Sequence, residues 1–200
     1  MSCNLKDLLT EFMKVVDDGT IEVYNEFSLQ HELGCYLRKR LPVSYKVQFE
    51  RNSKFFGIGF NGETTKHEID IVIFNDSERF AIELKYPLNG QYPELMYSFI
   101  NDIKFMEEMK NSGFKETYCL ILVEDKNYYS GRKKAGIYGY FRDNQTIHGR
   151  ITKPTGKNRE DQFVIIGGYY NIIWKPCAIK NSKIYGVYDE INAMYSLLEI

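Results

Sequence analysis

Residues 67–86 read HEIDIVIF, then NDSE, then RFAIELKY. Two runs of alternating apolar and polar side chains flank four residues of turn chemistry, which predicts two half-buried strands folded back as a hairpin. Ile69, Ile71 and Ile73 are expected on one face of the first strand and Glu68, Asp70 and Val72 on the other. In the second strand Ile82 and Leu84 oppose Ala81, Glu83 and Lys85. If Phe74 faces Arg79 across the turn, counting back puts Asp70 opposite Glu83 and Glu68 opposite Lys85. Carboxylates directly opposite each other on paired strands repel. A divalent cation between them removes the repulsion, and oxygen-only ligands suit Mg²⁺ or Mn²⁺. Lys85 emerges beside Glu83 on the same face. Together these groups can bind a metal, orient a phosphate and polarise a water, which is the equipment of metal-assisted phosphodiester hydrolysis. A solvent-facing hairpin explains the E-x-K tripeptide equally well; the register match with Asp70 is what separates the two readings.

Working outward, residues 5–16 carry Leu5, Leu8, Leu9, Phe12, Val15 and Val16 at helical spacing. A second helix is expected from an N-cap at Ser28 to Pro42, with Leu29, Leu33, Tyr36, Leu37 and Leu41 on one stripe. YKVQFE (45–50) alternates as a strand, and a glycine-containing stretch with Gly57, Gly59 and Gly62 leads into the hairpin. Beyond it, Pro93 suits the first turn of a helix that runs to about Asn111 and stops at Gly113. TYCLILVE (117–124) reads as a buried strand. Strand, long helix, buried strand is a crossover unit and implies a partly parallel sheet. After Asp125 the pattern loosens: GIYGYFR (136–142) reads as a strand-like piece, FVIIGGYYNIIW (163–174) and KIYGVYD (183–189) as strands, and 189–198 as a closing helix.

The 200 residues suffice for one domain with a real core, and an aromatic content of 15% argues against disorder. A formal charge of −1 nominates neither nucleic acid nor membrane. No apolar run approaches the about 20 residues of a membrane span, and the N-terminal stretch lacks the apolar core and cleavage site of a signal peptide. Cys3, Cys35, Cys119 and Cys177 form no C-x-x-C pair and have no evident histidine partner. They read as reduced cysteines of a cytoplasmic protein, which disfavours a disulfide framework, a structural zinc site and a thiol nucleophile. Gly167-Gly168 and Gly57-Ile58-Gly59 lack the surroundings of a nucleotide-binding loop, and no G-x-S-x-G elbow occurs.

In its order of elements the chain resembles the PD-(D/E)xK nuclease superfamily. The family core is a helix bearing a glutamate, a strand, a strand with an aspartate, a strand with (D/E)-x-K, a long helix and a further strand. Here the order runs through Glu32 in SLQHELGCYLRKRLP, then YKVQFE, Asp70 in HEIDIVIF, Glu83 and Lys85 in AIELKYP, the helix 93–111 and TYCLILVE, covering about residues 28–125. Glu68-Ile69 stands before the aspartate where the family name has proline, a loose position. The resemblance implies an α/β fold with a restriction-endonuclease-like mixed central sheet flanked by helices; residues 126–200, by their own pattern, read as a β-rich, tyrosine-rich elaboration of the same domain. It implies that Asp70, Glu83 and the Leu84 backbone carbonyl ligate Mg²⁺ (or Mn²⁺). Lys85 would position or activate the attacking water, and Glu32 would reach a second metal or its water network. Gln48 and Glu50 on the intervening strand, and Asp102 on the long helix, are candidate neighbours for which plain exposure is the better expectation.

Residues 132–159 hold Arg132, Lys133, Lys134, Arg142, Arg150, Lys153, Lys157 and Arg159 against one acid, Asp143. Interleaved with Tyr138, Tyr140 and Phe141, this stretch suits phosphate contacts and base stacking, although a solvated basic loop balancing an acidic core reads the same way. His31, His67 and His148 are expected to be surface or structural. The reading is therefore a Mg²⁺-dependent endonuclease acting on DNA (or RNA), with a restriction-like or defence role. Restriction-like nucleases commonly pair as homodimers, though nothing in the sequence marks a self-complementary surface. A non-catalytic nucleic-acid-binding module on the same fold is the alternative. A third reading is an interaction protein using its tyrosine-rich C-terminal strands, whose sign would be a large exposed apolar patch on 163–188.

Overall fold

The computed structural model describes residues 4–58, 67–157, 161–182 and 188–200. Helix α1 (Leu5–Asp17) turns Leu5, Leu9, Phe12, Met13 and Val16 inward. Helix α2 (Glu26–Arg40) starts three residues earlier than expected: Asn25 is the N-cap, and Ser28 closes a capping box as its third helical residue rather than capping the helix itself. Strand β1 (Lys46–Asn52) leads through a short 3-10 turn at Ser53–Phe56 to β2 (Glu68–Phe74) and β3 (Arg79–Lys85). Gly59 and Gly62 lie outside the described residues.

The hairpin forms in the expected register, with Ile71 facing Ile82 and Phe74 facing Arg79. Asn75 closes its turn through its own carbonyl side chain, which accepts from Ser77 N and Glu78 N. Helix α3 (Tyr92–Asn111), with proline in its first turn, then crosses to β4 (Glu116–Val123), which runs parallel to β3. Arg79 fastens the far end of α3 by donating to the carbonyls of Ser112 and Gly113.

Beyond β4 the structure departs from the sequence reading at several points. GIYGYFR is not a strand: α4 (Ile137–Arg142) is one short helix whose Ile137 and Phe141, one turn apart, are both buried. Strands β5 (Ile147–Thr152) and β6 (Phe163–Tyr170) pair as a ribbon laid on α3. Strands β7 (Lys175–Ser182) and β8 (Tyr188–Glu199) follow. The expected helix over 189–198 is therefore a strand, antiparallel to β4 on one side and β7 on the other. Its Ala, Met, Leu and Glu content favours helix locally, but Ile191, Ala193, Tyr195 and Leu197 also alternate, and pairing on both edges overrides the local preference. Of the expected strand 183–189, residues 183–187 lie outside the described residues.

The resulting mixed sheet has the order β1-β2-β3-β4-β8-β7, flanked by helices. The last strands thus extend the main sheet instead of decorating it, and among the described residues the segment with α4, β5 and β6 is the added layer. One core lies between the sheet and α1–α2, and a second lies between the sheet, α3 and the β5–β6 ribbon. Among the described residues no helix is long and apolar enough to cross a membrane.

Candidate active site at the open end of the central hairpin

The β2–β3 ladder stops short of Asp70 and Glu83. Beyond Ile71 and Ile82, Leu84 N donates to Asp70 Oδ2 at 2.7 Å and Asp70 N donates to Glu83 Oε1 at 3.3 Å. Each carboxylate is held by the backbone of the opposite strand, so the two acids expected to face each other are neighbours at the point where the strands part. Glu83 is 1% exposed and Asp70 half-buried.

The β1–β2 ladder is also interrupted here: its pairing passes from Phe49–Ile71 to Arg51–Ile69, and the skipped Glu50 has φ +48°, a left-handed conformation costly for a side chain of its size. Around this point β2 switches faces: Ile71 and Ile73 pack towards α1 and α2, whereas Ile69 packs with the α3 core. The expectation that all three isoleucines share a face is thus corrected. β3 keeps the expected alternation, with Ile82 and Leu84 on the α1–α2 side and Ala81 on the other.

Lys85 follows Glu83 on the α3 side. Its Nζ lies 3.4 Å from Asp102 Oδ2 and 3.9 Å from Glu26 Oε1. Asp102 is 4% exposed, so the expectation of a solvated helix charge is corrected: α3 delivers a buried acid to the lysine. Glu26 Oε2 also accepts from Tyr86 N at 2.8 Å, so this carboxylate ties the start of α2 to the end of β3. The Tyr86 hydroxyl donates to Glu124 Oε1; burial first, and that carboxylate second, push its pKa well above the usual phenol range. Tyr86 therefore serves as a neutral donor at the end of β3.

Glu32 is not brought to this cluster. It lies six residues beyond Glu26 on α2, about 9 Å along the axis and on a different face. Glu26 is the acid that α2 brings to Lys85, and an Asn25-x-x-Ser28 capping box is what puts it in the first helical turn. Gln30, also missed, donates from Nε2 to Glu50 Oε1 at 2.5 Å and to the Asp70 carbonyl at 2.8 Å. Glu26, Phe27, Gln30, Glu50, Asp70 and Leu84 line a cavity of about 290 Å³. Glu50 is accordingly a lining residue as well as an exposed one, while Gln48 sits on the neighbouring stretch of β1 with a buried Oε1 that has no hydrogen-bond partner among the described residues.

Among the described residues no group of three or more His, Cys, Asp or Glu gathers closely enough to hold a metal ion by itself. The donors fit Mg²⁺ in kind: it binds through one or two carboxylates, keeps several waters and takes the rest of its shell from substrate phosphate. Asp70 and Glu83 supply such a pair, next to the Leu84 backbone.

The basic segment is largely engaged within the fold. Arg142 donates to the carbonyls of Asn127 and Lys133 and stacks on Tyr138, which makes it a clamp for its own loop. Lys133 also lies over Tyr138, Lys134 pairs with Asp143 at 2.6 Å, and Lys153 pairs with Glu94 at 3.8 Å. The Arg150 guanidinium lies 3.5 Å from the Phe163 ring centroid, Lys157 is exposed, and Arg159 lies outside the described residues. Phe141 is buried and Tyr138 and Tyr140 are half-buried, so the aromatics of this segment serve the core instead of presenting free faces.

His67 and His148 are exposed; the latter stacks on Tyr169. His31 Nε2 lies 3.6 Å from Cys35 Sγ, which corrects the expectation that no cysteine has a histidine neighbour. Cys35, Cys119 and Cys177 are free thiols, and Cys3 lies outside the described residues. Compared with protein-family models, curated proteins and solved structures, the chain matches none.

Proposed function

We propose that this chain is a Mg²⁺-dependent nuclease that hydrolyses DNA phosphodiester bonds, an endonuclease of restriction-endonuclease-like architecture with a restriction-like or defence role. One observation carries the reading. At the end of the β2–β3 ladder, Asp70 and Glu83 are each anchored to the opposite strand, with Lys85 emerging between Glu26 and Asp102.

Asp70, Glu83 and the Leu84 carbonyl would hold the ion. When bound, it supplies charge neutralisation at the phosphate and lowers the pKa of a water. The chain does the positioning. Leu84 N and Asp70 N fix the two carboxylates before substrate arrives, so little reorganisation remains for the reaction. Glu26 and Asp102 orient the Lys85 ammonium, which can donate to the attacking water or to a phosphate oxygen. Cationic groups at Lys133, Lys134, Arg150, Lys153 and Lys157 would supply salt-sensitive attraction to the phosphate backbone, with Arg142 shaping their loop. Purified protein with Mn²⁺ or Mg²⁺ is expected to nick plasmid DNA, and EDTA or Lys85→Ala to abolish nicking. Cleavage that survives Lys85→Ala overturns the mechanism.

A second, compatible reading is favoured by the outer surface of the C-terminal half. Phe163, Ile165 and Tyr169 lie on the exposed face of β6 and Ile173 follows, at 38, 49, 74 and 64% exposure. An apolar stripe of this kind suits contact with a second copy of the chain. Sedimentation should then depend on concentration in the wild type and not in Ile165→Lys; a monomer at every concentration removes this reading.

A further inference from the structure

The rim of the candidate active site carries an aromatic ring that neither the fold nor the proposed hydrolysis uses. Phe27 occupies the second position of α2, next to Glu26 in the first turn, and it lines the same cavity as Gln30 and Asp70. It is 72% exposed, and Tyr24, just before the helix, is 60% exposed. Single exposed apolar residues are ordinary. This one stands at the mouth of a cavity otherwise lined mainly by polar side chains. It is also backed from behind: the His31 ring, one turn on, stacks on it with centroids 6.5 Å apart and planes 19° from parallel. Phe27 thus shares the cavity wall with the carboxylates of Glu26, Glu50 and Asp70.

A cavity of about 290 Å³ is at the small end for a ligand site. That size suits a phosphate and its immediate neighbours and leaves the adjoining base at the rim. Chemistry at the rim discriminates between substrates. In a duplex both faces of each base are covered by neighbouring bases, so an aromatic side chain at the backbone has nothing to stack on. In a single strand the base is free, and stacking on an aromatic ring is favourable whatever the base.

We propose that Phe27 is a stacking platform for an unpaired nucleobase adjacent to the scissile phosphate, and that the preferred substrate is single-stranded nucleic acid. The inference rests on the hydrolytic reading of the cavity. It goes beyond that reading by naming the substrate form and the residue that selects it.

The test uses the full-length protein and oligonucleotides of one sequence as single-stranded DNA, single-stranded RNA and duplex DNA, each with 2-aminopurine at successive positions. Binding is measured in EDTA and cleavage separately in Mn²⁺. With a single strand, the wild type should quench 2-aminopurine at one position beside the cleaved bond. Phe27→Ala should lose that quenching and bind single strands about 5- to 150-fold more weakly, while Phe27→Trp restores both. Duplex affinity should stay where it was in all three proteins. Comparing the DNA and RNA arms identifies which sugar the site accepts. Two outcomes overturn the proposal while leaving hydrolysis intact. One is Mn²⁺-dependent cleavage with equal or greater preference for duplex. The other is a Phe27→Ala effect that Phe27→Trp does not rescue. Absence of Mn²⁺-dependent cleavage on every substrate overturns the hydrolytic reading, and this proposal falls with it.

Discussion

Two buried glutamates beside the same helix layer serve opposite ends. Glu107, on α3, is 8% exposed and accepts from Gly167 N, Gly168 N and the Tyr170 hydroxyl at 2.6–3.1 Å. Three donors converge on it from one strand, and the result is a clamp that fixes β6 to α3. Its carboxylate also pushes up the pKa of the Tyr170 phenol, second to burial. Glu83, buried still more deeply, instead shares its neighbourhood with Asp70, and the adjoining lysine sits between two further acids, Glu26 and Asp102. Burial of a carboxylate alone therefore carries no functional meaning. Convergence of donors marks structure, and convergence of acids is what the proposed cation site would require.

The largest effect should come from breaking the acid cluster. Asp70→Asn keeps an oxygen for the Leu84 N–H but removes one of two adjacent charges. Cleavage should fall by about 10²–10³-fold, as for loss of one group that stabilises developing charge. Unfolding free energy in urea should stay level or rise, because a like-charge contact has been relieved. A marked loss of stability would mean that the pair serves the fold, and would put it in the same class as Glu107.

The complementary change, Glu107→Ala, leaves two backbone donors and a hydroxyl without their acceptor. Stability should drop by about 3 kcal/mol in urea titration. Cleavage per folded molecule should hold, since Asp102 lies five residues earlier on α3, about 7.5 Å along the axis and on another face. Equal damage to activity would mean that the β6 clamp reaches the site.

A smaller effect separates the two glutamates of α2. Glu26→Gln weakens the hold on Lys85 while keeping an acceptor for Tyr86 N, and should lower kcat by about tenfold, as loss of an orienting partner does. Glu32→Gln should leave kcat unchanged. The reverse result would restore Glu32 to the role that element order alone assigned to it.

These contrasts also show what the sequence could and could not reveal. The hairpin was legible because its signal is local: strict alternation and an Asn-led turn set the register that brings Asp70 and Glu83 together. Lys85 followed from spacing. Glu26 is not legible when Ser28 reads as the cap, a shift of three residues that is decisive for an acid in the first turn. Asp102 and Glu107 were opaque for another reason. Both lie on a helix read as polar on one side, and what covers that side, the ribbon and the hairpin end, comes from distant parts of the chain. Strand β8 failed the same way, because its partners β4 and β7 decide its state and its own residues fit either period.

A third buried acid completes the comparison and gives the smallest effect. Cys177, on β7, is 1% exposed; burial first, and the Asp17 carboxylate second, push its thiol from 9.0 up to about 12. Among the described residues no donor converges on it as on Glu107, so the group escapes its burden by staying neutral. The raised folded-state value fixes the sign. Cys177 contributes its full stability below about pH 9 and loses it as pH rises from there to about 12, where the unfolded thiol ionises and the folded one does not. Tyrosines raised by burial, Tyr86 and Tyr170 among them, act in the same direction, so the wild type should weaken steadily on the alkaline side. Cys177→Ala should weaken less steeply over the same range, and the difference between the two urea-midpoint curves isolates the thiol. In native protein Cys177 should resist iodoacetamide while Cys35, half-exposed beside His31, reacts. Parallel alkaline slopes, or rapid alkylation of Cys177, would show that burial on β7 does not keep this thiol neutral, and would leave donor convergence as the only protection a buried acid has in this fold.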